Sequence, residues 1–153
     1  MSVSRRSVLW LMAILSIGTL LFLGQTQMNW FSSHERDLKG LLSPAGEALV
    51  DDGTLAAWQP DPNYKAQAYY LTRRIDEAGF QRLVQPTGLE AGPPPQVPEA
   101  VWELPPGVAL KDWTAQDVPP GAGLQANGAL GATIVWLKWY EGRMFLVATV
   151  SSP

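Results

Sequence analysis

The sequence predicts an α+β protein: one N-terminal transmembrane helix, then a small extracytoplasmic domain with an amphipathic helix packed on an antiparallel sheet. Three observations carry this. A charge-free run near the N-terminus is long enough to cross a bilayer, residues 62–78 have helical periodicity, and two apolar segments near the C-terminus flank a two-residue turn. The 153 residues suffice for one domain and an appendage.

The run from Ser7 to Ser33 contains no formally charged side chain, and Val8 to Leu23 is polar only at Ser16 and Thr19. As a helix it would extend about 40 Å at 1.5 Å per residue, against a hydrocarbon core of about 30 Å. Arg5 and Arg6 precede it, and Trp30 and Phe31 close it where an interfacial aromatic belt lies, with Trp10 near the other interface. The expected division is a cytoplasmic segment 1–7, a signal-anchor helix 8–30 and an outer domain 31–153, with the N-terminus inside. Gly18 beside Ser16 and Thr19 would permit close packing against a partner helix.

Two other readings of the segment stay open. A cleaved signal peptide has the same basic start, but Phe22-Leu23-Gly24 and Gly24-Gln25-Thr26 make poor small-x-small sites, which favours the uncleaved anchor. Ser4-Arg5-Arg6-Ser7-Val8-Leu9 also resembles the pattern of twin-arginine export signals. After the run, fourteen acidic residues face nine basic ones, a formal −5. An acidic outer part without Cys is compatible with a bacterial periplasm and excludes disulfides, thiolate zinc sites and iron–sulfur clusters. The negative charge speaks against nucleic acid as a partner.

Ser32 and Glu35 have capping-box spacing, and a helix over residues 33–42 would place Leu38, Leu41 and Leu42 together. Ser43-Pro44 starts a short helix ending near Val50, before the Asp52-Gly53 turn. Asp61-Pro62 repeats the start signal. Tyr64, Ala68, Leu71, Ile75 and Ala78 then form a stripe at spacings of 4, 3, 4 and 3, with Gly79 as the C-cap and a strand over residues 80–85.

Nine Pro fall between Pro86 and Pro120, ruling out a long helix or a central strand there. The segments 103–110 and 117–124 repeat one pattern, acidic-apolar-Pro-Pro-Gly-any-small-Leu, and Pro-Gly suits the centre of a type II turn. Residues 101–104 and 108–113 are expected as edge strands. The C-terminal hairpin, 133–140 with 143–150 about Glu141-Gly142, pairs Trp139 with Met144, Leu137 with Leu146 and Val135 with Ala148 on an apolar face.

No catalytic arrangement stands out. His34 is the sole imidazole, and the pairs Asp51 with Asp52, Asp76 with Glu77, and Glu103 with Asp117 read as turn or solvated residues. The G-x-G-x-x-A match at Gly121 to Ala126 follows Pro-Pro rather than a strand, so it reads as a turn. No cofactor and no metal site is expected. On the second face of the hairpin, Trp136, Lys138, Tyr140, Arg143 and Phe145 would form an aromatic and cationic strip suited to a partner; the alternative is that the 62–78 helix or the Pro-rich segment covers it. The expected function is a non-enzymatic accessory or assembly subunit of an inner-membrane complex, in contact with the lipid bilayer and with a membrane-protein partner. A tethered envelope module binding glycan or lipid is the alternative, and a small carboxylate hydrolase comes third.

Overall fold

The computed structural model describes residues 33–61, 63, 65–92, 99–114, 116–119 and 121–150. The anchor 8–30, with Arg5, Arg6, Trp10, Trp30 and Phe31, lies outside these residues, as do Ser32 and the Pro93–Pro95 run. Among the described residues no helix is long and apolar enough to cross a membrane.

From His34 onward the chain folds as one unit around a five-stranded antiparallel sheet. Its strands are β1 (Thr54–Trp58), β2 (Ala68–Arg74), β3 (Leu124–Leu130), β4 (Thr133–Tyr140) and β5 (Arg143–Val150), in the order β1-β2-β5-β4-β3. The fold is thus α+β, with helix α1 over residues 33–41 and helix α2 over Glu77–Val84.

The β4–β5 hairpin has the expected register, Trp139 opposite Met144, Leu137 opposite Leu146 and Val135 opposite Ala148. Glu141 and Gly142 both take positive φ, 45° and 78°, as a type I′ turn requires, so its twist matches that of the strands. The Gly142 carbonyl also accepts the Ile75 N–H at 3.0 Å, which fastens the turn to the end of β2.

Two separate apolar layers flank the sheet. On one face Leu55, Tyr69, Leu71, Val135, Leu137 and Leu146 meet Leu38 of α1 and Leu42 just past its end, Leu49 of a 3-10 turn (Pro44–Leu49), and Phe80 and Val84 of α2. On the other face Ala68, Tyr70, Phe145 and Val147 meet Trp102, Trp113 and Val118 from an irregular strap described over residues 99–114 and 116–119. Helix α1 and the Ser43-Pro44 start stand where the sequence placed them. The α1 exit is held by the β3–β4 turn: Ala132 N–H donates to the Leu41 carbonyl at 2.9 Å, and a Cβ on Gly131 (φ 58°) would collide with that carbonyl.

The middle of the chain corrects the sequence reading. Residues 68–74 are strand, not helix, and residues 80–84 are helix, not strand. The reason is burial: Ala68 through Thr72 are all buried, because β2 is an inner strand covered on both faces, so the period-2 alternation disappears. The 4-3-4-3 spacing of the apolar residues is therefore a coincidence within a strand. Gly79 is no C-cap but the third residue of α2, and its N–H donates to the Asp76 carboxylate at 2.7 Å. Asp76→Ala is therefore expected to lower stability by about 1 kcal/mol, and Asp76→Ser to recover most of that, measured by urea unfolding.

Residues 101–104 and 108–113 likewise form no strand; a 3-10 turn (Glu99–Trp102) and tight turns replace them. The Pro-Gly reading of the first repeat holds. Gly107 has φ 84° and the Val108 N–H returns to the Pro105 carbonyl at 3.1 Å, a turn that bends the strap back over the sheet.

Candidate functional site

The second face of the hairpin is covered. Phe145 and Lys138 are 1% and 0% exposed, so the middle of the expected partner strip faces the strap rather than solvent. Only Trp136, Tyr140 and Arg143 at its margins are partly exposed. Trp113 is the centre of the closure. Its ring stands edge-on to Tyr70 (5.8 Å, 84°) and Phe145 (5.3 Å, 89°), and its Nε1–H donates to the Trp102 carbonyl at 2.9 Å. Such edge-to-face pairs add to burial because the positive ring edge meets a negative ring face.

Lys138 is pinned in the same layer. Its ammonium donates to the Pro119 carbonyl and lies 5.5 Å from the centre of the Trp102 ring, a cation–π distance. No carboxylate pairs with it among the described residues. Burial pushes its pKa below the usual lysine value of 10.5, because the charged form loses hydration. A lysine so enclosed has no path to a substrate, and its contacts make it a clamp for the strap.

Beside the strip, at the Glu141-Gly142 end of the sheet, the surface opens into a cleft of about 290 Å³. β2–β5 pairing sets Arg74 directly opposite Arg143, and Thr54 lies opposite Thr72 across β1–β2. Lys111 and Asp112 arrive from the strap and Asp52 and Arg73 from the far side. Arg143 holds Asp112 at 2.6 Å, and this hydrogen bond, more than its own partial burial opposes, keeps the Asp112 carboxyl below the usual carboxylate range. Arg73 is 3.7 Å from Asp52 and donates to the Ala48 carbonyl at 3.1 Å. Arg74 and Lys111 enter no ion pair among the described residues. Thr72 lines the cleft, and its Oγ1 is buried with no hydrogen-bond partner among the described residues.

The other residues singled out in the sequence serve the fold. The His34 ring lies edge-on to Tyr69 at 6.4 Å. Asp51 pairs with Lys39 at 2.6 Å, and Lys39 also holds Glu35 at 2.8 Å, which raises the Lys39 pKa. Asp117 accepts from the Thr114 N–H and hydroxyl at 2.8 and 2.7 Å, closing a strap turn. Gly123 in the G-x-G-x-x-A match has φ 80°, and a Cβ there would strike the Trp139 carbonyl; it lets the chain enter β3 against β4. Sequence reasoning found Arg143 but not the cleft, whose residues come together through β1–β2 and β2–β5 pairing and the strap. Neither a protein-family model, nor a characterised relative, nor a solved structure matches this chain.

Proposed function

We propose that this chain is a single-pass, membrane-anchored, non-enzymatic accessory or assembly subunit of an inner-membrane complex, its N-terminus cytoplasmic and its α+β domain outside. The observation that carries the reading is the uncharged run from Ser7 to Ser33, with Arg5 and Arg6 ahead of it and Trp30 and Phe31 at its end. The folded domain gives support. Asp51, Asp76, Asp112 and Asp117 are all engaged in ion pairs, a helix cap or a turn, which suits a scaffold better than carboxylate catalysis. The centre of the Trp136, Lys138, Tyr140, Arg143 and Phe145 strip lies under the strap, so a partner there would meet its margins at Trp136, Tyr140 and Arg143.

The test is extraction of the full chain, tagged at its C-terminus, from carbonate-washed membranes into a mild detergent. The expected result is retention in the washed membranes and elution with a stoichiometric second polypeptide. Release by carbonate, or elution as a lone monomer, overturns the proposal.

A further inference from the structure

We propose that the cleft at the Glu141-Gly142 end of the sheet binds a phosphoryl group. Arg74 and Arg143 are cross-strand neighbours, and like charges placed directly opposite repel unless a counter-charge lies between them. The protein supplies part of that charge through Asp112, which takes a left-handed backbone (φ 63°) that only Asn, Asp and Gly adopt readily. The compensation is incomplete. Among the described residues lining the cleft, Arg74, Lys111 and Arg143 meet the one carboxylate of Asp112, in a chain of net negative charge, while Arg73, which alternates to the other face of β2, is taken up by the Ala48 carbonyl and by Asp52 at 3.7 Å.

Thr72 supplies the second, independent observation. It is 6% exposed, its hydroxyl has no partner among the described residues, and it lines the same cleft as Arg74 and Arg143. A buried hydroxyl without a partner is costly, and a ligand oxygen reaching the cleft wall at Thr72 would satisfy it. The combination of guanidinium forks, an ammonium and a hydroxyl donor matches a group offering three strong acceptor oxygens, whereas a carboxylate offers two. About 290 Å³ against about 30 Å³ per water molecule leaves room for a phosphate together with its ester substituent. A soluble phosphate ester and an anionic lipid headgroup present the same group.

The experiment uses the full chain in neutral detergent micelles at fixed ionic strength. Tryptophan fluorescence and the thermal midpoint are followed with inorganic phosphate, with glycerol phosphate, and with phosphatidylglycerol doped into the micelles, against chloride. Wild-type protein is expected to bind, and Arg74→Gln with Lys111→Gln to weaken binding at least tenfold while melting like wild type in chloride. Thr72→Val, which keeps every charge, is expected to weaken it severalfold. Binding of the free anions assigns a soluble ester, and binding of phosphatidylglycerol alone assigns a headgroup. Absence of binding to all three probes, or equal affinity in both variants, overturns the proposal. The site does not depend on the anchor, so this result and the membrane extraction can fail separately.

Discussion

Replacing Trp113 with Ala is expected to open the strap while the helical side of the sheet stays folded. Trp113 is 6% exposed, and truncating a buried Trp costs about 3–5 kcal/mol through lost transfer energy and the cavity left behind. It also removes both edge-to-face ring pairs and the donor to the Trp102 carbonyl. The two apolar layers share the sheet but few side chains, because alternate residues of each strand serve opposite faces. Loss should therefore be local: amide exchange in residues 99–119 accelerates and Phe145 and Val147 become accessible, with α1 and α2 still protected. Leu146→Ala, on the other layer and fully buried, should instead lower protection throughout the domain. Uniform acceleration in Trp113→Ala would show that strap and helices form one cooperative unit.

That separation explains which parts of the fold were legible in the sequence. The β4–β5 hairpin was readable because its register is local: a two-residue turn fixes the pairing, and one face is apolar in every position from Val135 to Ala148. Helix α1 was readable for the same kind of reason, Leu38 within it and Leu42 just past its end lying one turn apart under a single layer. β2 was not, since a strand covered by helices on one side and by Trp113 on the other shows no alternation to detect. Its neighbours were quieter still. β1 carries two Ala in five residues and β3 has Asn127 and Gly128 at its centre, residues of poor strand preference recruited by tertiary pairing.

The strap hid for a different cause. Trp102, Trp113 and Val118 are buried and Leu104, Val108 and Leu110 half-buried at irregular intervals, because turns at Gly107 and Asp112 re-aim the chain between contacts. Irregular backbone has no period, so composition identified a Pro-rich wrapping segment without saying which face it wraps. The cleft was illegible on the same ground: Asp52, Arg74, Asp112 and Arg143 are far apart in sequence and meet through β1–β2 and β2–β5 pairing and the return of the strap.

Lys138 gives the second large effect, and its two substitutions separate packing from charge. Lys138→Met keeps the buried volume and removes the ammonium; apolar replacement of a buried ionised group is commonly neutral or stabilising. Lys138→Glu sets an acceptor against the Pro119 carbonyl and the Trp102 ring face, an uncompensated buried charge expected to cost about 3–5 kcal/mol. The pH dependence has a definite sign. The folded pKa lies below 10.5, so the unfolded chain holds this proton more tightly and takes it up on unfolding anywhere between the two values. Wild-type stability relative to Lys138→Met therefore rises as pH climbs from the folded pKa toward 10.5, and is flat below that window, where both states carry the charge. Urea midpoints of the two proteins from neutral pH to about 10.5 measure the difference. A difference that stays constant or falls across that range would mean that the Pro119 carbonyl and the Trp102 ring compensate the ammonium fully, and that the clamp carries no charge penalty.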